Sequence, residues 1–269
     1  MKNLLIYCLS LNNEDFDKIK SLNYIPVGLG GEEFSTKWVR DNIGENISNK
    51  NRYYGEYTFH YWFWKNKLSE IDKKTWVGFC AYRRFWANEP GTSEIKNKTN
   101  FLNEVPNEWC DNEVILGQNI YMDGWTNMKI FKHGLKSFLL KPKYFLKKNR
   151  NLKLHFDSFH GYGNLDKAIE LLKDNDKEDF RFFMENQNHY NRGNMFITNN
   201  KKIINDFYET IFPWLERCEK IFGFNSNSYG YTRIYAFLME RFISYWFNKY
   251  SKVRVWPIIF YNINKEKIN

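Results

Sequence analysis

Two arginines stand side by side at the end of an apolar run, Trp76-Val-Gly-Phe-Cys-Ala-Tyr-Arg-Arg84, and Phe85 and Trp86 follow at once. A guanidinium is planar, permanently charged and forked, so it grips a phosphate through two parallel hydrogen bonds. Ligands of open α/β sheets collect beyond the carboxyl ends of the strands. A strand over Thr75–Cys80 would therefore carry Arg83 and Arg84 to the place where an anion is met, with Tyr82 and Trp86 as rings able to stack on a base or a sugar. The competing arrangement pairs one arginine with an internal carboxylate such as Glu56 and leaves the other in water.

The densest polar cluster runs from Asp41 to Glu56 and includes Asn42, Glu45, Asn46, Ser48, Asn49, Lys50 and Asn51. Short polar side chains cap the free N–H groups of a helix start, and such an end attracts phosphate. The carboxamides exceed what one cap needs, and the surplus suits the hydrogen-bonding edge of a sugar or of uracil. Asn46, Ser48, Lys50, Asn51 and Glu56 are thus donor-binding candidates, alongside Ser10 at the end of the first apolar run.

Sugar transfer with inversion needs a group to take the acceptor's proton. Asp123, Asp157, His160 and Glu185 offer one, and each also reads as a surface or capping group. Glu240 and Arg241 lie on an apolar helix, where they form either a buried ion pair or a ligand contact. Asn191-Arg-Gly193 is an Asn-x-Gly turn entering the apolar run Met195–Thr198. The five histidines lack tight ligand spacing, the four cysteines form no Cys-x-x-Cys pair, and no metal site is expected. Walker, Gly-x-Gly-x-x-Gly and Gly-x-Ser-x-Gly patterns are absent, which removes P-loop, dinucleotide and hydrolase readings.

The elements that would hold these groups alternate. Strands are expected at Leu4–Leu9, Tyr24–Gly31, Thr75–Cys80, Asn112–Gln118, Met195–Thr198 and Val253–Phe260, the last broken by Pro257. Helices are expected at Arg52–Leu68, Leu165–Leu172, Ile203–Ile221 and Tyr231–Tyr250. Asn88–Asn100, Lys141–Arg150 and Lys173–Asp179 read as short polar or charged interruptions. Alternation of this kind predicts an α/β fold with a mixed sheet.

With 269 residues, 43% hydrophobic and 19% aromatic, the chain can bury a large core, and a single domain is expected. Its opening residues read as a strand, and no apolar run reaches the length of a membrane span. Scattered cysteines fit a cytoplasmic protein with reduced thiols. A net charge of +9 favours anionic partners. Lys141, Lys143, Lys147, Lys148 and Arg150 are the kind of run that marks a solvated or membrane-facing surface, and nucleic acid is not expected without a reader motif.

Several of these blocks together resemble the bacterial capsular polysaccharide synthesis family, long catalogued as a domain of unknown function, with galactofuranosyltransferase-like and other glycosyltransferase members. They are Tyr24–Gly30, Asp41–Asn66, Val77–Phe85, Asn194–Ile197 and the distal Arg233 with Glu240–Ile243. The family usually has His before Tyr-Arg-Arg, where this chain has Ala81, and Asp before Asn-Ile-Ser, where it has Glu45. The resemblance implies a GT-A-like Rossmann-type mixed sheet flanked by helices, with C-terminal helices. It also implies hexosyl transfer from a nucleotide sugar, UDP-linked in the first instance, to a capsular or lipid-linked glycan at the inner membrane face.

GT-A enzymes carry an Asp-x-Asp metal motif where this chain has Ala81-Tyr-Arg-Arg84, so the guanidinium pair is expected to replace the divalent cation, and no cofactor is required. Asn191, Gly193 and Asn194 resemble the turn lining the acceptor side in glycogenin-like transferases, which places them there with Glu240 and Arg241. Residues 1–120 would then bind the nucleotide sugar and 121–269 the acceptor. The alternative is a non-catalytic glycan- or lipid-binding module on the same fold, for which Ala81 is the argument.

Overall fold

The computed structural model describes residues 3–92, 97–122, 139–140, 146, 149–224 and 229–263. Two compact units are present. The first comprises Met1–Gln118, Arg192–Glu209 and Trp246–Asn269, and the second Asn119–Asn191 and Thr210–Tyr245.

The first unit is built on a nine-stranded sheet. Its strands are β1 (Leu4–Ser10), β2 (Ile25–Gly28), β3 (Val39–Arg40), β4 (Trp76–Ala81), β5 (Arg84–Trp86), β6 (Val114–Gly117), β9 (Phe196–Thr198), β10 (Val253–Trp256) and β11 (Ile258–Phe260); β7 (Asn119–Tyr121) and β8 (His189–Asn191) belong to the second unit. The main path runs β10-β6-β9-β4-β1-β2-β3, and β5 joins β4 to β11. β1 pairs in parallel with β2 and β4, whereas β9 runs antiparallel between β4 and β6. The parallel centre is buried on both faces, Tyr7 and Phe79 toward one side and Ile6, Cys8 and Cys80 in a cluster with Ile19, Trp38 and Trp109, which is why Leu4–Ser10 and Trp76–Ala81 are near-continuous apolar runs and not alternating ones. The sheet is the mixed α/β architecture that the alternation predicts.

Against the sheet lie α1 (Phe16–Ser21), α2 (Asn51–Tyr54) and α3 (Tyr57–Asn66). The single helix expected over Arg52–Leu68 is two, because Gly55 turns the chain out of helix with φ +60° and ψ −135°. Its carbonyl is then taken by side chains, Asn51 Nδ2 at 2.9 Å and Thr58 Oγ1 at 3.1 Å. Phe59 and Phe63 of α3 pack on Tyr7 of β1 and Phe79 of β4 with ring centroids 5.2–6.2 Å apart. Buried Cys8 and Cys80 face one another in register across β1 and β4 as free thiols.

In the second unit β7 and β8 form an antiparallel pair beside α4 (Leu152–His160), α5 (Asn164–Glu170), α6 (Asp174–Asn186) and the short α8 (Tyr229–Thr232). Two long helices, α7 (Lys201–Phe222) and α9 (Ile234–Tyr250), contribute residues to both units. The charged stretch Lys173–Asp179, read from sequence as an interruption, is the first half of α6. Phe180 and Met184 supply its buried face, and Asp176 accepts a hydrogen bond from Tyr245 Oη at 2.9 Å.

Candidate active site

At the carboxyl edge of the first unit's sheet, β4 gives way to a tight turn that presents the arginine pair. Tyr82 N donates to Leu9 O at 3.0 Å, and Ala81 pairs with both Leu9 and Arg84. Arg83 is exposed, its guanidinium 4.9 Å from the Tyr82 ring, while its carbonyl accepts from Tyr261 N at 3.1 Å. Arg84 opens β5, and its Nη1 lies 3.7 Å from where a Cβ on Gly193 would stand. Among the described residues neither guanidinium has an ion pair or a hydrogen bond, so the pairing with Glu56 is not made.

The donor-side candidates divide by what their side chains already do. Ser10, buried at the end of β1, donates to Asp15 Oδ2 at 2.5 Å and accepts from Asn12 N at 3.0 Å, which shapes the loop leaving the strand. Asn46 Oδ1 takes both the N–H and the hydroxyl of Ser48, at 3.2 and 2.8 Å, so these two residues hold one turn together. Asn51 is spent on Gly55 O and Thr58 Oγ1, and Lys50 closes the turn before α2. Tyr61 Oη reaches Glu45 at 2.9 Å and Trp62 Nε1 donates to Ile43 O at 2.7 Å, so α3 fixes the whole Asp41–Asn51 loop. Asp41 is fully buried past β3, and desolvation raises its carboxyl above the usual range.

Glu56 and Asn194 come together. With Leu9, His60, Phe79, Cys80 and Met195 they line a small cavity beneath the strand ends. His60 is wholly buried there. Its Nδ1 meets Tyr208 Oη at 2.9 Å, and loss of water pushes its pKa down to about 3, with a hydrogen bond to the Asn194 backbone opposing the shift. Sequence spacing marked His60 only as one of five scattered histidines; its place in an apolar helix face was the available signal. Gln118 was also missed. Its amide clamps Ile258 both ways, accepting from N at 2.6 Å and donating to O at 2.8 Å, and so ties β11 to the end of β6.

In the second unit, Asn191 is an internal pin, not a free ligand. Its Oδ1 accepts from Ser244 Oγ at 2.8 Å, its Nδ2 donates to Asn119 Oδ1 at 3.1 Å, and its N–H reaches Ser244 Oγ at 3.0 Å. Buried Arg241 forms an ion pair with Glu240, whose side chain is partly exposed. The Arg241 guanidinium also donates to His155 Nδ1 at 3.1 Å and lies 4.6 Å from the Tyr190 ring centre. Asp157 accepts from Gly163 N at 3.3 Å. His160 donates from Nδ1 to Gly230 O at 3.2 Å and stacks on Phe237, while burial, reinforced by the Arg241 charge, holds its pKa well below the ordinary value. A neutral, enclosed imidazole is a weak base. Asp123 and the lysines at 141, 143, 147 and 148 lie outside the described residues. Among the described residues no three His, Cys, Asp or Glu side chains gather as metal ligands, and no helix is long and apolar enough to cross a membrane.

Residues 6–252 match the model of a domain of unknown function, DUF4422. The chain belongs to the DUF4422 family. No curated protein matches it. Among solved structures, this DUF4422 chain is similar to the apo structure of WbbM, a bifunctional glycosyltransferase, with a TM-score of 0.65 and 19% identity over 96% of this chain. It spans 45% of the WbbM chain. The mannosyltransferase Ktr4p from S. cerevisiae aligns at a TM-score of 0.34 with 12% identity, over 94% of this chain and 68% of that one. The DUF4422 chain therefore shares its fold with part of WbbM, and that fold is the mixed sheet flanked by helices that the resemblance implied.

Proposed function

We propose that this protein transfers a sugar from a nucleotide diphosphate donor, a UDP-sugar in the first instance, to a surface-polysaccharide or lipid-linked glycan. The observation that carries the reading is the placement of Arg83 and Arg84. Two guanidinium groups that have no counter-ion among the described residues stand at the carboxyl end of β4, on a fold shared with a glycosyltransferase.

In the reaction the acceptor oxygen bonds to the anomeric carbon while the bond from that carbon to the phosphate oxygen breaks. The electron pair leaves with the nucleoside diphosphate, whose terminal phosphate gains negative charge. Fixed cations aimed at that charge stabilise the transition state more than the ground state. Arg83 and Arg84 fill the part that a divalent cation plays in Asp-x-Asp enzymes, so the reaction proceeds without metal. The acceptor's proton goes to a carboxylate. Asp157 and His160 are engaged in holding backbone, so the base is sought at Asp123 or Glu185. The lysine-rich stretch near residue 145 provides peripheral contact with the inner face of the membrane.

Release of UDP from a panel of UDP-hexoses, with and without EDTA, tests the proposal. One donor should be turned over at a rate the chelator does not change. Binding of UDP with no turnover of any donor, with or without an oligosaccharide acceptor, favours instead the non-catalytic module that Ala81 suggests.

A further inference from the structure

Three tyrosine rings of the second unit are turned toward water. Tyr229, Tyr231 and Tyr162 are 68%, 43% and 39% exposed. They are gathered on two glycine-bearing segments, Gly161-Tyr-Gly163 after α4 and Tyr229-Gly-Tyr231 in α8. The two segments touch. A Cβ on Gly161 would stand 2.6 Å from Tyr231 Oη, and one on Gly230 only 2.0 Å from Phe159 O. Glycine at 230 thus lets α8 lie directly on α4, and glycine at 161, with φ +94°, makes room for the Tyr231 hydroxyl.

The two segments are also pinned. Asp157 accepts from Gly163 N, His160 Nδ1 donates to Gly230 O, and Asn164 Nδ2 donates to His160 O at 2.8 Å. The Tyr229 ring is braced edge-on by Phe237, with centroids 5.9 Å apart, and has the Arg233 guanidinium 5.6 Å away. Rigid backbone therefore holds rings that would lower their free energy by burial. Exposed clustered aromatics mark a binding surface. The chemistry here is phenol rings with hydroxyl rims, a carboxamide at Asn164 and the Arg233 guanidinium, which matches a sugar's apolar C–H face and its polar hydroxyl edge.

We infer that Tyr162, Tyr229 and Tyr231 form a platform on which a neutral glycan chain stacks. The inference deepens the glycosyltransferase reading by naming where acceptor glycan is held, and it gives Asp157 and His160 a positioning role.

Titration of the full chain with cellotetraose, maltotetraose and mannotetraose, followed by saturation-transfer NMR, tests it. One of the three should bind at millimolar concentration or below, with saturation transferred from the tyrosine rings. Tyr229→Ala and Tyr231→Ala should each weaken that binding about fivefold or more, while Tyr231→Phe, which keeps the ring, should retain most of it. Melting temperatures only slightly below wild type are expected, since each ring is partly exposed and loses few contacts. Equal glycan affinity in both alanine variants would overturn the platform, as would no binding by wild type. So would a wild-type dimer in light scattering that Tyr229→Ala dissolves, because the surface would then belong to a second copy. UDP titration of the same variants should show unchanged affinity. Glycan binding without any UDP binding would sink the donor reading and leave the platform standing.

Discussion

The guanidinium of Arg84 lies beside Gly193, with Nη1 3.7 Å from the site of a Cβ on that glycine. Strand β5 supplies the cation, and the turn before β9 supplies an open backbone in a left-handed conformation, φ +68°. Two blocks far apart in sequence thus converge on one point at the sheet edge.

Arg84→Ala and Arg83→Ala should each weaken nucleoside diphosphate binding by roughly 1.5–3 kcal/mol, the worth of a hydrogen bond to a charged group. Arg84→Lys should recover only part of the loss, since an ammonium cannot make the two-pronged contact. Calorimetric affinities for UDP across the three variants check this, and unchanged affinity in both alanine variants makes the pair structural.

Gly193→Ala places a methyl group in a left-handed conformation, at a cost of roughly 1–2 kcal/mol of stability, and sets it against Arg84. Gly223 has φ +57° with open space around it. Gly223→Ala should therefore cost similar stability while leaving UDP affinity intact, whereas Gly193→Ala should lose both. Equal UDP affinity in the two variants would separate the turn from the phosphate site.

Much of the scaffold was legible because burial on both faces forces unbroken apolar runs, and β1, β4, β6 and β9 stand where those runs do. Strands of two or three residues, such as β3 and β5, are too short to show a period. The break at Gly55 escaped because the aromatic spacing from Tyr54 to Trp64 continues across it. The position of the arginine pair, in the turn where β4 ends and β5 begins, was readable from the apolar run before it. Asn191, Asp157 and His160 have the residue types of catalysis, but Ser244 and Gly230 lie far off in the chain and Gly163 meets Asp157 only through the turn after the helix, so no spacing announces these partners.

Folding stability should fall as the solution is acidified below about pH 6.5. The native state holds His60 neutral down to about pH 3, while the unfolded chain protonates it near 6.5, so between those values the unfolded state binds more protons and stability rises with pH. Each such histidine contributes a slope of about 1.4 kcal/mol per pH unit; buried His155 and His160, also held well below the ordinary value, act in the same direction. Urea midpoints from pH 4.5 to 8 measure the slope. His60→Phe loses the Tyr208 bond and should be less stable at pH 8, yet show a shallower acid limb; an unchanged limb would contradict the assignment.

Glu240→Ala leaves the buried Arg241 charge without its carboxylate. Loss of one partner from a buried pair costs about 3–5 kcal/mol, here toward the lower end because the Glu240 side chain is one-fifth exposed. Arg241→Met in the same background should restore part of the loss, and denaturant unfolding of the single and double variants measures the coupling.

The most direct measurement is calorimetric titration of the protein with UDP, GDP and CDP, each with and without EDTA. Micromolar binding of one nucleotide, unaffected by the chelator and lost on Arg83→Ala/Arg84→Ala, is the expected result. Binding that EDTA abolishes, or that survives removal of both arginines, would contradict the account.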